Sequence, residues 1–406
     1  MLLAAVLLSA CRSGDDTDEA ADTQREDCFL EVYVYAPGRP VTTRADVGEI
    51  ARRTEAESKV HTLKIWVFRH DTGERVGYLY ADPTFLTETT PQKYQIKLNS
   101  SFVTNLSPVD VYVVANAESC GVTSLGDGTS RSELDGMMIG NSYFGVTSLT
   151  STVPSTGLPM SAVLRNQPIT GKFPTLRIGT DDGMATLQLT RAVSKLRFVI
   201  CRIWENPEKE ESLKKKLISI DKITLNGSVI PTKQYLMPQE SYNYTSFGYE
   251  STAIEYLATK LDSTNIPDVK DPTLFVFETQ EAQDYEDLIN NNLITIADIN
   301  HNKPDNKLLE HGLTYFRESD KQLTGTIEYT VSEKQEDGNW ENVTYTVANN
   351  SAVSFSMAAP GDFLRNHSWI VYIYFMDTKI HVFTVTNIGV KNWENDENSN
   401  HEVYNW

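Results

Sequence analysis

The stretch Leu30-Glu31-Val32-Tyr33-Val34-Tyr35-Ala36 decides the fold of this chain. Successive side chains of a β-strand point to opposite faces of the sheet. Leu30, Val32, Val34 and Ala36 therefore share one apolar face, while Glu31 lies on the other. This alternation predicts a strand with one side buried against a core.

Similar runs rich in Val, Ile, Tyr and Phe recur along the chain, separated by clusters of Gly, Pro, Asn, Asp and Ser. This pattern is typical of an antiparallel β protein. It predicts strands at residues 30–36, 63–68, 94–98, 111–115, 187–189, 196–203, 218–225, 273–277, 326–331, 343–347, 352–357, 369–375 and 380–390. Helices are expected only at residues 131–138 and 281–296. The predicted fold class is mainly β, built from antiparallel β-sandwiches.

The chain has 406 residues, of which 40% are hydrophobic, and this is enough to build two ordinary cores. A charged stretch that contains a proline, residues 205–216, separates two strand-rich halves. We therefore expect an N-terminal β-sandwich over residues 29–204 and a C-terminal one over residues 217–406. Within the first, the first strand covers residues 29–37 and a connector covers residues 38–58.

The segment before the first strand carries targeting signals. Residues 1–10 are almost wholly apolar and lead directly into Cys11, which predicts a bacterial lipoprotein signal peptide with Cys11 as the acylated, palmitate-bearing residue. The alternative is an N-terminus without a signal that matches the motif by chance. Residues 11–28 are polar and acidic and predict a tether between lipid and fold. The acidic run after Cys11 resembles an export signal of bacterial surface lipoproteins, which implies a location on the outer face of the outer membrane.

Composition and motifs argue against several classes of function. The net charge of −19, without a stripe rich in Lys and Arg, argues against a nucleic-acid partner. The sequence contains no nucleophile elbow, P-loop, dinucleotide glycine motif or zinc-protease motif, so we expect neither an enzyme nor a cofactor. A glycosidase with two spatially paired carboxylates remains the alternative.

The cysteines do not form a recognisable framework. With Cys11 acylated, Cys28, Cys120 and Cys201 remain, an odd number without metal-ligand spacing. Buried free thiols and a single disulfide bond are the two interpretations, and no metal site is expected.

The connector after the first strand is long, polar and rich in arginine. Exposed loops are preferred sites of proteolysis. We expect an arginine-specific protease to cut after Arg44, with Arg52 and Arg53 as alternatives, unless Arg44 is an ordinary surface residue. The cut would release everything upstream, including the lipid and the first strand.

Short motifs follow one another along nearly the whole chain: Cys11 and residues 43–45, 59–68, 111–117, 157–161, 189–196, 365–367 and 390–393. In this order they resemble the type V fimbrillins, the lipoprotein-derived pilus subunits of Bacteroidales. The resemblance implies two β-sandwiches of transthyretin-like, Greek-key plan, and removal of the first strand by an arginine-specific protease. It also implies that a segment of another subunit fills the vacated groove, so that polymerisation is strand exchange.

A donor strand should carry alternating apolar residues on a detachable terminus. Ile388, Val390, Val403 and Trp406 are the candidates, and the alternative is that residues 380–390 complete the sheet of their own domain. The expected partners are other fimbrial subunits, the protease, the membrane through the lipid, and a host or bacterial surface receptor. The other functions considered are a glycan-binding surface lipoprotein with exposed aromatic side chains and a pilus anchor that keeps its first strand. Stalk and tip roles are both open.

Overall fold

A computed structural model describes residues 27–36, 55–82, 86, 90–140, 153–180, 183–203, 210–241, 244–257, 261, 266, 268–269, 309–342, 352–357, 364–376 and 379–387. Strands dominate these ranges, as predicted. They are β1 (Phe29–Tyr35), β2 (Leu63–Arg69), β3 (Arg75–Ala81), β4 (Gln92–Lys97), β5 (Val109–Ala115), β6 (Met138–Ile139), β7 (Met160–Gln167), β8 (Ile169–Lys172), β9 (Thr175–Thr180), β10 (Gly183–Met184), β11 (Thr186–Gln188), β12 (Thr190–Arg191), β13 (Ser194–Ile203), β14 (Lys216–Leu225), β15 (Gln234–Tyr235), β16 (Ile254–Leu257), β17 (Asp268–Val269), β18 (Leu309–Phe316), β19 (Leu323–Lys334), β20 (Trp340–Asn342), β21 (Ala352–Met357), β22 (Ser368–Met376) and β23 (Lys379–Asn387).

The helices of the described ranges are short. They are α1 (Ser100–Val103), α2 (Arg131–Asp135) and α3 (Glu210–Leu213), with single 3-10 turns at Glu55–Ser58, Ala117–Cys120, Gly227–Val229 and Thr245–Phe247. The helix predicted at residues 131–138 forms as α2, where Ser130 and Glu133 make a capping box. Helix α2 ends at Asp135, with Gly136 as its C-cap, which is earlier than the predicted end at residue 138. The helix expected at residues 281–296 and the strands expected at 273–277 and 343–347 lie outside the described residues.

Four larger sheets contain most of the strands in the part of the chain that the structure describes. The first has six strands in the order β10-β9-β1-β11, with β4 also paired to β1 and β8 to β9. The second has the order β12-β7-β5-β2-β3. The third has the order β17-β13-β22-β23 with β18 beside β13, and the fourth β16-β14-β19-β20 with β21 beside β19. The strand pairs are mostly antiparallel, as predicted, but β1 runs parallel to β9 and β11, and β13 runs parallel to β17 and β22.

The buried apolar side chains of the described ranges form two clusters. Strands of the first and second sheets supply the first cluster, which contains Leu30, Trp66 and Tyr112. Strands of the third and fourth sheets supply the second cluster, which contains Phe198 and Ile373. Sheets that enclose a shared core in this way have the β-sandwich architecture that the alternating sequence pattern predicts.

Strand β13 belongs to a different half from the one expected. The sequence places residues 196–203 in the N-terminal half, whereas β13 pairs with β18 and β22 and its Leu196 lies in the second cluster. Val193, just before β13, lies in the first cluster. The charged stretch at residues 205–216 therefore follows the first strand of the second half, and we propose that the halves divide at Val193.

Buried ion pairs hold the second half together and connect it to the first half. The Arg365 guanidinium binds Glu318 and also donates to the main-chain oxygens of Tyr235 and Leu236. Nearer the start of the chain, Glu57 accepts from Lys195 Nζ at 2.6 Å and from Tyr315 OH at 2.7 Å. The 3-10 turn at the end of the connector is thereby attached to residues more than a hundred positions away.

Candidate functional site

Strand β1 lies in the interior of the first sheet although it is the first strand of the described chain. One edge pairs antiparallel with β4, from Phe29 opposite Lys97 to Val34 opposite Gln92. The other edge pairs in parallel with β9 over its first half and with β11 over its second half. We call the surface formed by β4, β9 and β11 around this strand the β1 groove.

The inward face of β1 is entirely buried. Leu30, Val32 and Val34 have no exposed surface and Ala36 has 2%, so the alternation in the sequence is confirmed. The side chains that receive them come from all three groove strands: Tyr94, Ile96, Leu176, Ile178 and Leu187. Burying side chains of this size contributes roughly 1.5–3 kcal/mol each.

The ends of β1 are held by main-chain hydrogen bonds. The Phe29 N–H donates to Pro174 O at 2.9 Å, and the Leu98 N–H donates to Cys28 O at 2.9 Å. At the other end, the Leu189 N–H donates to Tyr35 O at 3.1 Å. The groove therefore binds the strand along its whole length.

The outward face of β1 carries one charged residue, Glu31, and it is only 4% exposed. One carboxylate oxygen accepts from Lys93 Nζ at 3.0 Å and from Gln95 Nε2 at 3.4 Å. The other oxygen lies 3.2 Å from the Tyr33 hydroxyl, which donates to it, and 3.3 Å from Arg177 Nε. Burial raises the pKa of this carboxyl, but the hydrogen bonds and the charge of Lys93 outweigh burial, so the pKa lies below its ordinary value.

Two buried polar atoms of β4, the Tyr94 hydroxyl and Gln92 Oε1, have no hydrogen-bond partner among the described residues. Tyr94 lies opposite Val32 on β4 and is 6% exposed. Burial raises the pKa of Tyr94 to about 12. An unsatisfied buried hydroxyl costs stability, about 1–3 kcal/mol.

We expect Tyr94→Phe to raise the free energy of unfolding by about 1 kcal/mol, because it removes a buried polar group that has no partner. Tyr112→Phe is the matched control. Its hydroxyl donates to Asp135 Oδ1 at 2.8 Å, and this variant should lose about 1 kcal/mol. Chemical denaturation followed by tryptophan fluorescence measures both. Equal destabilisation by the two substitutions would show that the Tyr94 hydroxyl has a partner.

Cys28 and Cys120 are buried free thiols, which agrees with one of the two interpretations of the cysteines. Burial raises the pKa of both thiols, that of Cys120 to about 12. Nothing is described of the Cys201 side chain. No group of three or more His, Cys, Asp or Glu side chains in the described ranges is arranged to hold a metal ion.

The remaining residues singled out in the sequence, Cys11, Arg44, Arg52, Arg53, Ile388, Val390, Val403 and Trp406, lie outside the described residues. Residues 380–387 belong to β23, which pairs antiparallel with β22 from Lys379 to Asn387. This part of the donor candidate 380–390 thus completes its own sheet, as the alternative stated. None of the helices in the described part of the chain has the length and apolarity that a membrane span requires.

Sequence reasoning missed the cations of the site. Lys93 lies just before the strand predicted at residues 94–98, and its outward position follows from the buried Tyr94 and Ile96. Arg177 lies on β9, whose sequence Thr-Leu-Arg-Ile-Gly-Thr has only a weak apolar alternation. No local signal indicates that these two side chains meet at Glu31.

No protein-family model and no curated protein matches the chain. Solved structures are similar to it over most of its length. The tip fimbrial protein Mfa3 from Porphyromonas gingivalis is 16% identical, with 89% of this chain and 99% of that chain covered and a TM-score of 0.39. A fimbrial assembly protein from Parabacteroides distasonis is 12% identical (88% and 95% covered, TM-score 0.39).

A fimbrilin from Porphyromonas gingivalis is also 12% identical, with 90% and 98% of the two chains covered and a TM-score of 0.38. These structures are fimbrial proteins, the class that the sequence resembles.

Proposed function

We propose that this protein is a structural subunit of a cell-surface pilus and that it polymerises by strand exchange after proteolytic release of β1. The observation that carries the proposal is the place of β1 in its sheet. It is the first described strand, and yet it pairs along both edges and buries one complete face. A single cut after β1 lets it leave without interrupting any other described strand.

Loss of β1 opens the β1 groove in two ways. It uncovers the apolar side chains that pack on Leu30, Val32 and Val34. It also leaves the facing edges of β4, β9 and β11 with unpaired main-chain donors and acceptors. Both consequences are costly, and an extended segment of another molecule removes both by adding itself as a strand. Polymerisation then needs no catalytic residue.

A cut among residues 37–54 separates β1 from the rest of the chain. Arg44, with Arg52 and Arg53 as alternatives, is the proposed site for an arginine-specific protease. The part that remains begins close to an attached segment, because Glu57 is held by Lys195 and Tyr315. Glu57 and the residues after it therefore stay with the second half of the protein while β1 departs.

Before the cut, acylated Cys11 would hold the subunit at the outer membrane, with each buried CH₂ of the acyl chains contributing about 0.8 kcal/mol. After the cut, only strand pairing would hold it in a surface fimbria. The proposed partners are the protease, other fimbrial subunits and, through the assembled fibre, a host or bacterial surface receptor. Ile388, Val390, Val403 and Trp406 remain the proposed donor residues.

Digestion of the purified precursor with an arginine-specific protease tests this function. We expect a ladder of multimers that resist SDS at room temperature, and fibres in electron micrographs, only after the connector has been cut. The matched control is the same sample with the protease inhibited from the start. A chain that mass spectrometry shows to be fully cut in the connector, but that stays monomeric at high concentration, would contradict the proposal.

A further inference from the structure

The two edges of the β1 groove each present one cation to the same point on β1. Lys93 comes from β4 and Arg177 from β9, and both are ion-paired with Glu31. Among the described residues, Glu31 is the only carboxylate paired with either cation. The Lys93 side chain is 48% exposed and that of Arg177 57%, whereas that of Glu31 is 6% exposed. The buried carboxylate thus depends on these two cations more than they depend on it.

Release of β1 removes this carboxylate and leaves both cations behind. They lie on opposite sides of the open groove and repel each other. The positive potential that attracts an anion is greatest between them, where the outward side chain at position 31 had been. A neutral side chain entering there would leave the pair without its counter-charge, and a cationic one would add a like charge between them. Only a carboxylate restores the charge-assisted hydrogen bonds.

We propose that the β1 groove selects an incoming strand of another subunit that carries a carboxylate at the position of Glu31, with aliphatic side chains at the inward positions of Leu30, Val32 and Val34. This inference rests on the strand exchange proposed above and adds the chemistry of the donor. The aliphatic face supplies affinity, and the carboxylate sets the register, because a slip of one residue would place it on the inward, apolar face.

The chain itself contains a second copy of the triplet Glu31-Val32-Tyr33, at Glu402-Val403-Tyr404. In the same register, His401 and Asn405 would take the inward positions of Leu30 and Val34. This segment therefore meets the charge requirement and fails the apolar one. Residues 401–405 should therefore be a weaker donor than a strand of another subunit whose acidic residue is flanked by aliphatic ones.

A peptide-displacement experiment tests whether the groove selects a strand with a carboxylate at position 31. The full chain is cut in the connector, and labelled peptides with the sequence of residues 27–36 compete with the bound strand. We expect the native peptide to enter, the Glu31→Gln peptide to bind about tenfold more weakly, and the Glu31→Lys peptide to fail. A Tyr35→Phe peptide is the control and should match the native one, because Tyr35 has no part in the ion pairs.

The second part of the experiment reverses a charge in the groove and uses the same peptides. A cut chain with Lys93→Glu should prefer the Glu31→Lys peptide over the native one, and Arg177→Gln should reduce the preference for the native peptide without reversing it. Native, Glu31→Gln and Glu31→Lys peptides that bind equally well would overturn the acid requirement while strand exchange stands. If no peptide enters the groove, the native one included, the proposed function itself is wrong.

Discussion

Chains with Tyr33→Cys and Lys93→Cys, oxidised to a disulfide bond and then cut in the connector, should not polymerise, and reduction should restore polymer growth. Strand exchange requires β1 to leave the groove. A covalent bond to β4 keeps β1 in place even when the connector no longer holds it. Light scattering and SDS-resistant ladders, recorded before and after addition of a reductant, measure the effect.

The geometry of β4 suits this bond. Because the Leu98 N–H donates to Cys28 O, these residues form a hydrogen-bonded pair, and the alternation of antiparallel pairs makes Tyr33 and Lys93 a non-hydrogen-bonded pair. Their Cα atoms should lie about 4.5 Å apart, within the range of disulfides. The native thiols Cys28 and Cys120 compete little, because burial raises the pKa of each.

A second cysteine pair separates the effect of this bond from that of disulfides in general. Glu333 and Glu341 face each other on β19 and β20, in the fourth sheet. The variant with Glu333→Cys and Glu341→Cys should polymerise after cutting, whether oxidised or reduced. Equal polymer growth by the oxidised 33–93 protein and this control would mean that β1 remains in place during assembly, which rules out exchange at this groove.

Blocking the proteolytic cut in the connector should have the second large effect. Cells that make the chain with Arg44→Lys, Arg52→Lys and Arg53→Lys should retain the protein with its acylated N-terminal segment, at the membrane, and should form no SDS-resistant ladder. Lysine keeps the positive charge of each position but is not cut by an arginine-specific protease. N-terminal sequencing of the protein recovered from the cell surface measures the outcome directly.

Single substitutions are the controls for this experiment. Arg44→Lys alone should move the start of the mature chain if Arg44 is the site, whereas Arg52→Lys or Arg53→Lys alone should leave it unchanged. Adding a lysine-specific protease to cells with the triple variant should restore assembly, because the cut rather than the arginine is what frees β1. A triple variant that still begins at the same residue as the unaltered protein would eliminate these arginines as the processing site.

The sequence was sufficient to predict features whose signal lies within a single strand or helix. The alternation from Leu30 to Ala36 predicts which side chains of β1 are buried, and all four predicted inward residues are buried. The capping residues Ser130 and Glu133 mark the start of α2 in the same way. Such signals depend on the spacing of side chains along one element, which the backbone geometry converts directly into a face or an end.

Local sequence signals were insufficient for weakly patterned strands and for assigning β13 to a core. Strand β9 has only two inward apolar side chains, Leu176 and Ile178, and was not predicted. The charged stretch at residues 205–216 suggested a domain boundary, but β13 before it belongs to the second core. A charged linker can join two strands of one sandwich as readily as it joins two sandwiches.

The sequence by itself determined that the chain is mainly β, that β1 has one apolar face, and that an arginine-rich connector follows it. Only the tertiary structure decided that β1 lies inside its sheet, parallel to β9 and β11, and that Lys93 and Arg177 meet at Glu31. The physical reason is distance along the chain. Lys93 and Glu31 are 62 positions apart, and the partner of a strand depends on how the whole sandwich packs, which no local periodicity records.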